Sequence, residues 1–213
     1  MRVRAVARNE TIARGRLGAT LAAVIALVLM LGGCGGGNGQ NQNSAPLLLS
    51  GPSTNIAVTI PAGWHQVIDT ADPIIPEMVA PTSCMGSGEV SCASALARLA
   101  TFSAPDEQAA ARAVEHALAS GAGVKLGATI SRGPGKVGRR DGYLHRFSFT
   151  NPAAALTAEI AVVPTGPLAP DARGNHQYSV VLVWVSNKPG APNPGVIDQI
   201  VGSAVAIGGK PPA

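Results

Sequence analysis

No apolar run in this chain reaches the roughly 20 residues that a membrane-spanning helix requires. Leu17 to Leu31, the longest, has 15 residues and is followed by glycines rather than by basic residues, which argues against an ordinary transmembrane anchor. Recognisable catalytic signatures are missing too: there is no Gly-x-Ser-x-Gly, no His-Glu-x-x-His and no P-loop. His65, His116, His145 and His176 are scattered singly, without an acidic partner at a recognisable spacing. No cofactor and no metal are therefore expected. Cysteine is scarce, with only Cys34, Cys84 and Cys92.

What the chain does have is a basic-then-apolar leader. Arg2, Arg4, Arg8, Arg14 and Arg16 precede the apolar stretch, and Leu31-Gly32-Gly33-Cys34 closes it. A positive n-region, an apolar h-region and a small-residue site make a secretory signal. The pattern Leu-x-Gly-Cys resembles the lipobox of bacterial lipoproteins, which implies lipidation of the Cys34 thiol and cleavage before it. Two or more acyl chains hold a protein stably on a membrane, where one binds only marginally. The expected organisation is a signal peptide over residues 1–33, a lipidated N-terminus and flexible tether over 34–53, and a single α+β domain over 54–213. That places the protein on the extracytoplasmic face of the cell membrane.

Charge supports no polyanion partner once the leader is set aside. The whole chain is basic, with a pI near 9.3. Residues 1–33 hold five of the 16 Lys and Arg and one of the 12 Asp and Glu, so the remainder carries 11 of each. No nucleic-acid partner is expected, and no anionic-lipid affinity follows from the overall charge. Arg132, Lys136, Arg139 and Arg140 cluster locally beside Asp141 and read as a solvated hairpin loop.

Export also bears on the cysteines. With Cys34 taken by lipid, Cys84 and Cys92 remain as a pair in an oxidising compartment, which predicts a disulfide. So short a ring contributes about 2.5 kcal/mol by the chain-entropy estimate. Zinc would need further ligands, and no histidine lies near this loop in sequence. Between Cys34 and Ser53, Gly, Asn, Gln and Ser dominate; as a random coil this tether would span roughly 24 Å.

Along the domain, Asn55 to Ile60 alternates as a half-buried strand, stopped by the turn Pro61-Ala62-Gly63-Trp64. Leu96 to Phe102 is of strand length. A helix follows, with Ser103 and Asp106 as a capping-box-like start, a stripe of Ala110, Ala113, Val114, Ala117 and Leu118, and an end near Gly121. Its polar side carries Glu107, Arg112, Glu115 and His116. Leu126–Ile130, Tyr143–Phe149, Leu156–Val163 and Tyr178–Val185 read as antiparallel strands, the last apolar on both faces and so central. Asn193 and Pro194 suit the Ncap and N1 of a second helix with Ile197, Ile200, Val201, Ala204 and Val205 on its stripe, ended by Gly208-Gly209. Gly133-Pro134-Gly135-Lys136-Val137-Gly138 matches Gly-x-Gly-x-x-Gly, but a strand rather than a helix follows it and Pro134 removes a donor, so it reads as a glycine-rich hairpin loop.

This order, with VTIPAGW (Val58 to Trp64), VVPTG (Val162 to Gly166), QYSVVLVWVS (Gln177 to Ser186) and IDQIVGSAVAIG (Ile197 to Gly208), resembles the LpqN/LpqT family of actinobacterial lipoproteins. The resemblance implies a Mog1/PsbP-like fold, an antiparallel sheet packed with helices, and supplies no catalytic residues. The chain departs from the family in its Cys84/Cys92 loop. The function expected is a membrane-anchored, non-enzymatic binding or protein-interaction module whose partner is an envelope or host protein or an apolar ligand. The alternatives are a secreted hydrolase, whose catalytic members would meet only in the fold, and a structural envelope protein. Of the histidines, His145 shares a strand face with Tyr143, Phe147 and Phe149 and is expected to sit in the sheet face, with His116 exposed.

Overall fold

Strand-length apolar stretches separated by Gly, Pro and Asn build a fold dominated by antiparallel pairing. A computed structural model describes residues 45–51, 53–67, 77–79, 93–121, 123–166 and 169–207. Cys34, Cys84, Cys92, Gly208 and Gly209 lie outside the described residues. In chain order the elements are β1 (Leu47–Ser50), β2 (Ile56–Ile60), β3 (His65–Val67), β4 (Glu77–Val79), β5 (Ala95–Ala104), α1 (Glu107–Ala119), β6 (Lys125–Val137), β7 (Arg140–Thr150), β8 (Ala155–Pro164), β9 (His176–Ser186), α2 (Val196–Gly202) and β10 (Val205–Ala206). Helices and antiparallel sheet in this arrangement make an α+β domain.

Two sheets form. The larger runs β3-β4-β5-β9-β8-β7-β6 and the smaller runs β1-β2-β10. β9 lies between β5 and β8, where its uninterrupted apolar sequence is buried on both faces, as expected of a central strand. Val181, Val183 and Val185 point to one core with Leu49, Ile56, Val58, Ile60 and Trp64 of the small-sheet side and Ile197, Ile200 and Val201 of α2. Val180, Leu182 and Trp184 point to the other, with Ala110, Ala111, Val114 and Leu118 of α1. The layers are therefore small sheet and α2, large sheet, α1. Full burial of each such Val or Leu contributes about 1.5–3 kcal/mol.

Several boundaries differ from the sequence expectation, three because a strand partner wins over local pattern and one because of a local turn. The tether's last residues are structured: Leu47 pairs with Ile60 and Leu49 with Val58, burying Leu49 in the core. Ser103 does not cap α1, because β5 continues through it against Gln177 of β9. The cap is Asp106, in extended backbone, whose carboxylate accepts from the Ala109 N–H at 2.6 Å. Asn193 does not cap α2; its side chain accepts from the Gly195 N–H at 2.8 Å in a turn, and the helix starts after Gly195. Val205 leaves the helical stripe to pair with Ala57 in β10 and is 51% exposed.

The largest correction concerns residues 131–141. They form no loop. β6 pairs with β7 up to Val137↔Arg140, leaving only Gly138 and Arg139 to turn the chain. The Gly-x-Gly-x-x-Gly string is thus extended edge strand up to Val137, with its last glycine in the turn and a strand rather than a helix following it.

Candidate functional site

Strand alternation on β7 sends Tyr143, His145, Phe147 and Phe149 toward α1 and Leu144, Arg146 and Ser148 toward α2. Each face holds one ionisable cluster. The structure places His145 as expected, 4% exposed, with its ring centroid 5.1 Å from that of Phe147. The Nδ1 atom lies 3.7 Å from Oε2 of Glu115 on α1, an ion-pair distance rather than a hydrogen bond. Glu115, which the sequence places on the polar side of the helix, has a side chain only 23% exposed. Nε2 is buried without a hydrogen-bond partner. Burial lowers the imidazole pKa below 6.5, Glu115 opposes this, and Arg132 of β6 and Arg112 of α1 reinforce it.

This predicts a pH dependence. A folded-state pKa below the unfolded value means that the unfolded chain takes up the proton first, so stability present above about pH 6.5 is lost as pH falls through the folded pKa. Denaturant titrations should show that slope in the wild type and not in His145→Phe. At pH 7, His145→Ala should cost about 1–3 kcal/mol and the exposed His116→Ala less than about 0.5. Equal, negligible effects would contradict the buried placement. His116 is exposed, as expected, and so are His65 and His176, on different strands. The four histidines do not converge.

On the opposite face Arg146 donates from Nε to Glu159 of β8 at 2.5 Å and also bonds Asp198 of α2. Glu159 is 4% exposed, and burial raises its carboxyl pKa, with Arg146 opposing. A single Glu inside the apolar run Leu156–Val163 was the available sequence signal, and it needed the β7–β8 register to be understood. Arg98 of β5 is also buried, on the α1 side with Leu182 as its neighbour in β9, and its Nη2 has no hydrogen-bond partner. Among the described residues no group of three or more His, Cys, Asp or Glu could hold a metal, and no helix is long and apolar enough to cross a membrane.

One exposed feature with interaction chemistry among the described residues is β6. It ends the large sheet, with no strand on its outer side among the described residues. Leu126 is 41% and Ile130 56% exposed. Lys125, Arg132, Lys136 and Arg139 are exposed beside them. Lys136 pairs with Asp141 at 2.6 Å. Sequence reasoning found the charges and missed the apolar pair, because Leu126 and Ile130 have the spacing of ordinary half-buried strand residues.

No protein-family model and no curated protein matches the chain. Among solved structures, the chain is similar to a protein from Bacteroides thetaiotaomicron VPI-5482 determined at 1.50 Å, with 13% identity and a TM-score of 0.40. The match covers 78% of this chain and 48% of that one, so this chain spans about half the other's length. The fold itself defines the class: an α+β domain with a seven-stranded antiparallel sheet between a helix and a small second sheet.

Proposed function

We propose that the protein is a membrane-anchored cell-envelope lipoprotein whose domain, of the Mog1/PsbP-like kind found in the LpqN/LpqT family, works as a non-enzymatic binding or interaction module outside the cell membrane. The leader ending in Leu31-Gly32-Gly33-Cys34 supports the anchor. The observation that carries the binding reading is the β6 edge, where exposed Leu126 and Ile130 stand beside basic residues on a long strand with one side unpaired among the described residues. Solvent-exposed large apolar side chains grouped on one element mark interaction sites. His145, which faces the Glu115 carboxylate, has its Nε2 buried, a poor position for general-base work on a substrate.

A photo-crosslinking residue in place of Ile130 in the intact protein in cells tests this. It should give a discrete protein or lipid adduct, and the same residue at exposed Ala172, in the β8–β9 connection, should not. No adduct from Ile130, or esterase, peptidase or phosphatase turnover abolished by His145→Ala, would overturn the reading in favour of the hydrolase alternative.

A further inference from the structure

The charge of this chain is not evenly spread. Residues 125–141, the β6 strand and its turn, hold five Lys and Arg against one Asp. The rest of the chain beyond residue 33 holds six Lys and Arg against ten Asp and Glu. Past its leader, a chain with no net charge therefore concentrates four net positive charges in this one strand and its turn. Overall charge conceals this. The same edge carries Leu126 and Ile130, two of the four exposed large hydrophobics among the described residues.

We infer that the β6 edge is a membrane-contact surface, and that it docks the anchored domain onto anionic lipid, with Leu126 and Ile130 entering the headgroup boundary and Lys125, Arg132, Lys136 and Arg139 meeting lipid phosphates. This rests on the proposed lipid anchor and binding role and names the partner. Basic residues near an anionic surface are each attracted by the interfacial potential, and apolar side chains add buried area.

The edge is poorly made for the other obvious occupant, an added protein strand. Its register against β7 shifts between Leu126 and Thr129 and again between Thr129 and Ser131, and Pro134 supplies no N–H. Bulges, proline and lysine are the devices by which edge strands refuse further pairing. A fluid headgroup layer needs no ladder. It needs charge and a few apolar side chains, which is what this edge offers.

The test uses the full lipidated protein reconstituted into vesicles with brominated acyl chains. Trp64 and Trp184 are both buried, so a tryptophan introduced by Ile130→Trp reports the edge. In vesicles containing phosphatidylglycerol its emission should shift to the blue and be quenched by bromine. In phosphatidylcholine alone, or in molar salt, where the Debye length falls to about 3 Å, both effects should vanish. Lys125→Glu, Lys136→Glu and Arg139→Glu together should lower the docked-to-undocked ratio by at least about a hundredfold, at roughly fivefold for each basic residue lost. Equal quenching in the two lipids, no quenching in either, or the same quenching for Ala172→Trp would overturn the inference. A discrete protein adduct from Ile130 in cells together with no quenching would leave the binding-module reading standing and reject membrane docking alone.

Discussion

Gly138→Ala is expected to destabilise the domain by about 3–5 kcal/mol, combining the left-handed backbone penalty with overpacking against an atom that cannot yield. Gly138 turns the chain between β6 and β7 at φ +59°, where its N–H donates to the Val201 carbonyl at 3.0 Å. A Cβ there would lie 1.8 Å from the backbone oxygen of Ala204. The obstacle is main chain, so no rotamer change relieves it, and the β6–β7 turn would have to part from the end of α2. Gly63 is the control. It has φ +85° and open space, with no atom within 4 Å of where a Cβ would stand, so Gly63→Ala should cost only the backbone penalty, about 1–2 kcal/mol. Thermal unfolding should separate them, with Gly138→Ala lower in melting temperature by several degrees, at about 2–4 °C for each kcal/mol in a domain of this size. Equal effects would show that the turn does not press on α2.

Arg146→Ala should be as costly at neutral pH, about 3–5 kcal/mol, because it leaves Glu159 buried without its counter-charge. The loss should depend on pH in a direction that the geometry sets. Glu159 has its pKa raised by burial even with Arg146 present; without the guanidinium it rises further. A carboxyl whose folded pKa lies above its unfolded value stabilises below the unfolded pKa and loses that contribution as pH rises through the folded pKa. The deficit of Arg146→Ala should therefore shrink as the pH is lowered toward 4 and widen toward 7. Replacing both partners, Arg146→Met with Glu159→Leu, removes the buried charges together and should recover most of the loss. Asp198, with its side chain 66% exposed, should matter little on its own. A deficit independent of pH, or no recovery in the double variant, would contradict the assigned network.

Elements with a complete local signal were legible in the sequence. The stripe on α1 and the two-faced apolar run of β9 identify themselves because each carries its whole apolar pattern within its own residues, one face for α1 and two for β9. Short strands do not. Leu47–Ser50 has four residues and Val205–Ala206 two, and both exist only because β2 lies beside them. β3 and β4, of three residues each, were missed for the same reason. At the candidate site, His145 was visible from its aromatic neighbours at strand spacing, whereas Glu115 was not: its contact with His145 joins a helix to a strand 30 residues away in sequence, and no helical or strand period encodes such a pairing. The β6 edge was half legible. Its charges stand out in sequence, but exposure of Leu126 and Ile130 follows from β6 being the last strand, a property of topology.

The anchored location is the claim on which the functional account turns, and the mass and N-terminal residue of the protein extracted from membranes test it most directly. The account predicts a chain that begins at Cys34 and carries a diacylglyceryl modification on that residue, with Cys34→Ala giving an uncut or soluble product. An extracted protein that retains residues 1–33, or one that begins elsewhere without lipid yet remains on the membrane, would contradict it.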